Sequence, residues 1–122
     1  MPDLTLKRVP FSQEADSILR MMKARTGITP NVICRLGLCL SLDEPGRPRP
    51  VDRKLPTARE INRYTLLGEY DMVLVALLRA RVHASGIKVP SLDDDFLAHI
   101  QRGIELLAGR VKSLQDFEGV LS

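Results

Sequence analysis

Residues Arg20–Leu42 read RMMKARTGITPNVICRLGLCLSL. The punctuation describes the end of one basic amphipathic helix, a tight turn and the opening of a second helix. Gly27 can adopt the left-handed conformation that closes the first helix. Thr29 stands where an N-cap is wanted. Pro30 follows at the first helical position, where its missing N–H costs nothing. The amide donors that open the second helix then come directly after Lys23 and Arg25. A helix start beside cations suits an anion, and phosphate is the one this arrangement favours.

Upstream, Leu4-Thr5-Leu6-Lys7 alternates apolar and polar residues, as a short strand or extended arm does. Ser12 has the chemistry of an N-cap for the first helix, which turns Ala15, Ile18, Leu19 and Met22 to one face. The second helix runs from Pro30 to about Leu42 with Val32, Ile33, Leu36 and Leu40 as its apolar face. Gly37 inside it costs about 1 kcal/mol relative to Ala, which a close helix crossing would explain.

Downstream, residues 43–56 (DEPGRPRPVDRKLP) hold four prolines and the cations Arg47, Arg49, Arg53 and Lys54. Alternating Arg and Pro keeps such a segment extended and its charges apart. It fits tracking of a phosphate backbone, and equally a solvated linker. Thr57-Ala58-Arg59-Glu60 has the form of a capping box, predicting a third helix with Ile61, Tyr64 and Leu67 inward and a break or bend at Gly68. Glu69–Ser85 is apolar nearly all round, so it is expected to be the central core helix, ended by Gly86. Ser91 is expected to cap a last long helix whose first turn holds Asp93, Asp94 and Asp95, where the helix dipole favours negative charge. Three successive helical positions point in three directions, so the triplet does not gather one metal ion. Leu97, Ile100, Ile104, Leu107, Val111 and Leu114 follow a heptad spacing that serves either self-association or a core-facing helix.

The fold expected is mostly α, one domain over residues 1–122, with a short N-terminal strand or arm followed by about five helices. Residues 1–42 form a DNA-binding part, 43–56 a connector, and 57–122 a helical core and oligomerisation part. Hydrophobic residues are 44% of the chain and aromatics 4%, with no Trp. That is too apolar for disorder and too poor in aromatics for a base-stacking platform. The net charge of +3 is unevenly spread. Residues 1–54 carry ten Lys/Arg against six Asp/Glu, and residues 55–122 eight against nine. The excess therefore coincides with the helix–turn–helix corner, though a solvated charged face has the same signature.

The first residues lack the apolar core of a signal peptide, and no apolar run approaches the length of a membrane span, so a cytoplasmic protein is expected. Cys34 and Cys39 lie five positions apart on one predicted helix, ~7.5 Å along its axis, too far for a disulfide there. They are expected to be buried thiols in a reducing compartment. His83 and His99 have no neighbours at zinc-ligand spacing, and no phosphate loop, nucleotide fingerprint or nucleophile elbow occurs. No catalytic residue, metal or cofactor is expected. For an enzyme, for instance one that nicks strands or handles sulfur, Cys34 or Cys39 would be the obvious thiol.

The order strand, helix, glycine turn, helix resembles a ribbon-helix-helix unit over about the first 42 residues. Such units pair strands between two chains and lay the ribbon in the major groove. A longer resemblance runs from roughly Leu6 to Leu107. LRMMKARTGITPNVICRLGLCLSL (19–42) and EINRYTLLGEYDMVLVALLR (60–79) are similar to the DndE family of DNA sulfur modification proteins.

That resemblance implies a small, mostly helical subunit, ribbon-helix-helix-like at its N-terminal part, of the bacterial Dnd system. The system replaces a non-bridging phosphate oxygen of DNA with sulfur, and other Dnd proteins carry the desulfurase, ATP-dependent and iron–sulfur chemistry. It further implies a homotetramer that binds DNA with a preference for nicked duplex, and no established catalytic residue. The family's DNA contacts are attributed to surface lysines. This chain has only Lys7, Lys23 and Lys54 in its basic region, so arginine must supply the rest.

The sites expected are therefore Lys7, Arg20, Lys23 and Arg25 on phosphates, Thr29 and Asn31 around one phosphate at the helix start, and Arg35, Arg47, Arg49, Arg53 and Lys54 extending the track. The alternative is a sequence-specific regulator of ribbon-helix-helix type reading bases through Thr5 and Lys7.

Overall fold

The structure, a computed structural model, describes residues 3–86 and 91–111. It is mostly helical, with a short two-stranded antiparallel sheet. The elements in chain order are β1 (Arg8–Ser12), α1 (Gln13–Thr26), α2 (Pro30–Asp43), β2 (Thr57–Asn62), α3 (Arg63–Leu67), a 3-10 turn over Gly68–Tyr70, α4 (Asp71–Ala84) and α5 (Leu92–Arg110). Four of these are full-length helices and α3 is little more than a single turn, which corrects the expectation of about five helices. Among the described residues no helix is long and apolar enough to cross a membrane.

β1 alternates as a half-buried strand should, with Val9 and Phe11 inward and Arg8 outward. It pairs with β2 of the same chain in the register Val9↔Ile61 and Phe11↔Arg59, with an irregularity at Ser12. Ser12 caps α1 as expected, its Oγ accepting the Ala15 N–H at 3.2 Å. α1 then turns Ala15, Leu19 and Met22 into the core.

The second strand corrects the sequence reading. Thr57-Ala58-Arg59-Glu60 does not open a helix; it lies in β2. The local capping signal loses to the unpaired edge of β1, and the extended backbone sends Arg59 to the buried Asp16 of α1, 2.9 Å away. The working cap is Asn62, whose Oδ1 accepts the N–H groups of Tyr64 and Thr65. Leu67 is buried, Ile61 only partly, and Tyr64 is exposed.

α2 and α5 form the centre. The buried residues of α2 are Ile33, Cys34, Gly37, Leu38 and Ser41, so the inward face is rotated from the one expected and leaves Val32 exposed. Cys34 is buried, but Cys39 is exposed, against the expectation of two buried thiols. Leu97, Ile100, Ile104, Leu107 and Val111 are all buried in the chain's own core, so the heptad seam is spent internally and is not available for self-association; Leu114 lies outside the described residues.

α4 is not a central core helix. Leu74, Leu78 and Val82 are buried, while Met72 is 83% exposed, Val73 57% and Leu77 49%.

The aspartates opening α5 do diverge, but each holds a separate segment. Asp93 accepts hydrogen bonds from the backbone N–H groups of Thr5 and Leu6 and from the Thr5 hydroxyl. Asp94 meets Arg53 at 3.2 Å and Asp95 meets Arg47 at 2.9 Å. Ser91 precedes them without a side-chain capping bond.

Candidate nucleic-acid interface

The α1–α2 corner is built by backbone and small side chains. Gly27 has φ 75°, and its N–H donates to the Lys23 carbonyl at 2.8 Å. A side chain at that φ would be strained, so glycine is the residue the turn requires. Thr26 Oγ1 donates to the Met22 carbonyl at 2.7 Å and accepts the Ile28 N–H at 3.1 Å. The turn therefore needs no brace from Lys23 or Arg25. Both are exposed, and among the described residues neither has a salt-bridge partner.

Thr29 is extended and exposed ahead of Pro30, as a cap residue should be, but its side chain makes no capping hydrogen bond. Its carbonyl accepts the Ile33 N–H at 3.1 Å. The amides of Asn31 and Val32 belong to the first turn, where no intrahelical acceptor exists. No acid occupies that turn. The result is an exposed helix start, positive by its dipole, beside two uncommitted cations.

The remaining expected cations divide by what holds them. Arg20 Nε bonds Asp16 at 2.8 Å, and Arg59 approaches the same carboxylate from β2. Asp16 is buried, so this pairing is structural, yet the Arg20 side chain stays largely exposed at one end of it. Arg35 is committed inward: its Nε donates to the Leu66 carbonyl at 2.7 Å, Nη2 to the Thr65 carbonyl at 3.3 Å, and its guanidinium lies over Tyr70. Arg47 and Arg53 are tied to the opening of α5. Lys7, Arg49 and Lys54 are exposed, with no salt bridge among the described residues.

The cations also do not form one track. Lys23, Arg25, Thr29 and Asn31 gather at the corner. The 47–54 loop begins beyond the far end of α2, about 21 Å of helix away. There it runs beside Pro10–Ser12, at the opposite end of α1 from Lys23. Arg8 and Arg59 are basic residues outside the expected set of sites. Arg8, which adjoins Lys7, is exposed on β1 with Glu60 at 3.7 Å.

Neither cysteine has the setting of a thiolate. Burial pushes the Cys34 thiol up to about 12, with Arg59 opposing, and partial desolvation raises Cys39 although the residue is exposed at the surface. His83 is exposed, and His99 sits in the core against Ser41. Among the described residues no cluster of His, Cys, Asp or Glu could hold a metal ion.

Three comparisons bear on this geometry. The family model described as DNA sulphur modification protein DndE matches residues 8–115. No curated protein sequence matches the chain. Among solved structures, the crystal structure of DndE from Escherichia coli B7A, involved in DNA phosphorothioation modification, superposes with a TM-score of 0.70 at 26% identity, covering 86% of this chain and 99% of that one. A glycine-to-lysine mutant of DndE involved in DNA phosphorothioation superposes with a TM-score of 0.64 at 24% identity over the same shares, a likeness of fold.

Proposed function

The chain belongs to the DndE family, and from that premise we propose that it is a non-catalytic, DNA-binding subunit of the DNA phosphorothioation machinery. It holds the phosphate backbone, favouring nicked duplex, for the other Dnd proteins that perform the sulfur chemistry. The single observation that carries this reading is the exposed, acid-free start of α2 beside Lys23 and Arg25. One phosphate is received there by the amides of Asn31 and Val32, with the side chains of Thr29 and Asn31 close by. Lys23 and Arg25 neutralise its neighbours, and Arg20 contributes from the exposed part of its side chain.

Lys7, Arg49 and Lys54 are a secondary set at the other end of the helices. Arg35 contributes structure, and Arg47 and Arg53 reach DNA only by leaving Asp95 and Asp94. A few phosphate contacts per chain give weak binding. Repetition in a homo-oligomer, a tetramer by the family resemblance, multiplies them into useful avidity. A backbone reader takes no information from base edges, and a nick lets the duplex bend to meet several corners at lower cost.

The regulator reading has less support. Thr5 is held by Asp93 and Arg8 faces Glu60, which leaves Lys7 as the ribbon's uncommitted donor. β1 also pairs with β2 in its own chain.

The deciding experiment is a salt titration of duplex binding by Lys23→Ala/Arg25→Ala. The slope of log K against log salt is expected to fall by about 2. An unchanged slope and affinity would remove the corner from the interface, and discrimination beyond about a hundredfold between random duplexes would favour the regulator.

A further inference from the structure

The end of α2 that lies away from the α1–α2 corner meets a second group of cations. A cleft of about 280 Å³ opens there between the last turn of α4, the 46–48 segment and α5, with Arg47, Arg81 and His99 among the residues that line it. Burial and then the cations of Arg102, Arg81 and Arg47, against the single carboxylate of Asp95, lower the His99 pKa to about 4. Three guanidinium groups thus act on this imidazole and one acid opposes them.

The arginines differ in what each has left to donate. Arg47 pairs with Asp95 at 2.9 Å, and Arg110 with Glu44 at 3.9 Å. Arg102 commits all three nitrogens: Nε to Ser41 Oγ, Nη1 to the Gly46 carbonyl, and Nη2 to the Ser41 and Glu44 carbonyls. Arg81 commits only Nη2, to the same Glu44 and Gly46 carbonyls at 2.9 and 3.4 Å. Among the described residues it has no carboxylate partner, and its Nε and Nη1 are neither hydrogen-bonded nor buried. Arg81 is half-buried, and a cation drawn partly out of water favours an anionic acceptor.

We propose that this cleft is a site for one small tetrahedral oxyanion of the phosphate or sulfate type. Arg81 gives it a charge-assisted hydrogen bond, and Arg47 supplies a second positive charge in the same cleft. The volume selects for size, since it lies just below the roughly 300–1,000 Å³ of clefts that bury a drug-sized ligand. Two kinds of group oppose an anion here. The Asp95 carboxylate is offset by the Arg47 that holds it, and the carbonyls closing α2 by Arg102 and by Nη2 of Arg81. The oxyanion has two possible sources, a free ion and a phosphate of DNA. The site lies at the opposite end of α2 from Lys23 and Arg25 and does not rest on the corner.

The test follows the His99 ring proton by NMR in the full chain at neutral pH. The sequence holds two histidines, so His83→Gln leaves one to observe. Sodium phosphate is titrated in, with sodium chloride keeping the ionic strength constant. A saturable shift of the His99 resonance is expected. Arg81→Gln should weaken the binding about tenfold or more, the loss of one hydrogen bond to a charged group. Arg47→Gln, at an exposed position, should weaken it too, and it carries the test if circular dichroism shows that Arg81→Gln does not fold. The absence of a saturable shift, an equal shift with chloride alone, or unchanged affinity in the folded variants overturns the site. A nicked duplex with a terminal phosphate is the second arm. Competition with inorganic phosphate at His99 assigns the oxyanion to DNA, and no competition assigns it to a free ion. The corner stands or fails separately, on the salt slope of the Lys23/Arg25 variant.

Discussion

Gly37 of α2 and Gly103 of α5 meet backbone to backbone. A Cβ on Gly103 would lie 2.1 Å from the Gly37 carbonyl oxygen, and one on Gly37 would lie 2.8 Å from the Gly103 carbonyl carbon. The two central helices can approach this closely only because both positions lack a side chain. The helix-propensity cost of Gly37 is thereby offset by packing around the crossing, where Ile33, Leu38, Ile100, Ile104 and Leu107 are buried.

Gly103→Ala is therefore expected to destabilise the fold by about 3 kcal/mol, the upper end of overpacking costs, because backbone cannot move aside as a rotamer can. The melting temperature should fall on the order of 10 °C. Gly109→Ala is the control. Nothing lies within 4 Å of its Cβ, and it should stabilise by up to about 1 kcal/mol through helix propensity. Equal effects from the two substitutions would show that the crossing is not tight.

His99 makes the fold sensitive to mild acid. Arg102 Nε donates to Ser41 Oγ at 2.8 Å, and Ser41 Oγ and His99 Nδ1 share a hydrogen bond, also of 2.8 Å. Burial and the surrounding cations favour the neutral imidazole there. Burial, with the Arg102, Arg81 and Arg47 cations and against Asp95, lowers its pKa from 6.5 to about 4. The unfolded chain takes up this proton first as pH falls. The contribution to stability is thus complete above pH 6.5 and is lost progressively between there and about 4. Urea midpoints across that window should decline for the wild type and lose much of that slope in His99→Gln.

Part of this architecture was legible in the sequence because its causes are local. Gly27, Pro30 and Ser12 act within a turn of themselves, and the α1–α2 corner follows from them. Gly37 announced a close crossing, though not that Gly103 lay opposite. The failures share a different cause. Thr57-Ala58-Arg59-Glu60 spells a helix start in isolation, and only the edge of β1, nearly fifty residues earlier, makes it a strand. α4 reads as buried because its sequence is apolar on every side, and only the packing of the chain shows that just Leu74, Leu78 and Val82 turn to the core. The basic track failed at Arg35, Arg47 and Arg53 because their acceptors, the Leu66 carbonyl, Asp95 and Asp94, are remote in sequence. Charge patterning counts cations without showing which are already occupied.

The N-terminal arm is strapped down by Asp93. Burial works to raise this carboxyl, but the hydrogen bonds from Thr5 Oγ1 and the amides of Thr5 and Leu6, with the Arg53 charge, together outweigh it and hold the pKa below 3.8. A depressed carboxyl contributes stability above its unfolded value and loses it as pH falls through the folded one. The arm should stay docked at neutral pH and come away only below pH 3.8. Hydrogen-exchange protection of the Thr5 and Leu6 amides reads this directly. Asp93→Ala should abolish it at neutral pH, and protection that survives the substitution would mean that Leu4 and Leu6 dock the arm by packing alone.

Arg35 and Lys23 separate structure from recognition. Both are cations of the expected track, but Arg35 bridges α2 to the end of α3 through the Leu66 and Thr65 carbonyls and packs tightly against Gly68. Removing it orphans a carbonyl beside the buried Leu66 and withdraws a charged donor, a loss of about 1.5–3 kcal/mol. Lys23 has no salt bridge among the described residues and lies on an exposed surface, where substitution changes stability by less than about 0.5 kcal/mol. Arg35→Ala should therefore shift the denaturation midpoint and leave the salt dependence of DNA binding unchanged. Lys23→Ala should do the reverse, with a slope reduced by about 1. If the arginine variant instead folds as well as wild type and loses the salt slope, its inward hydrogen bonds are not what holds α3, and the phosphate track extends along α2 after all.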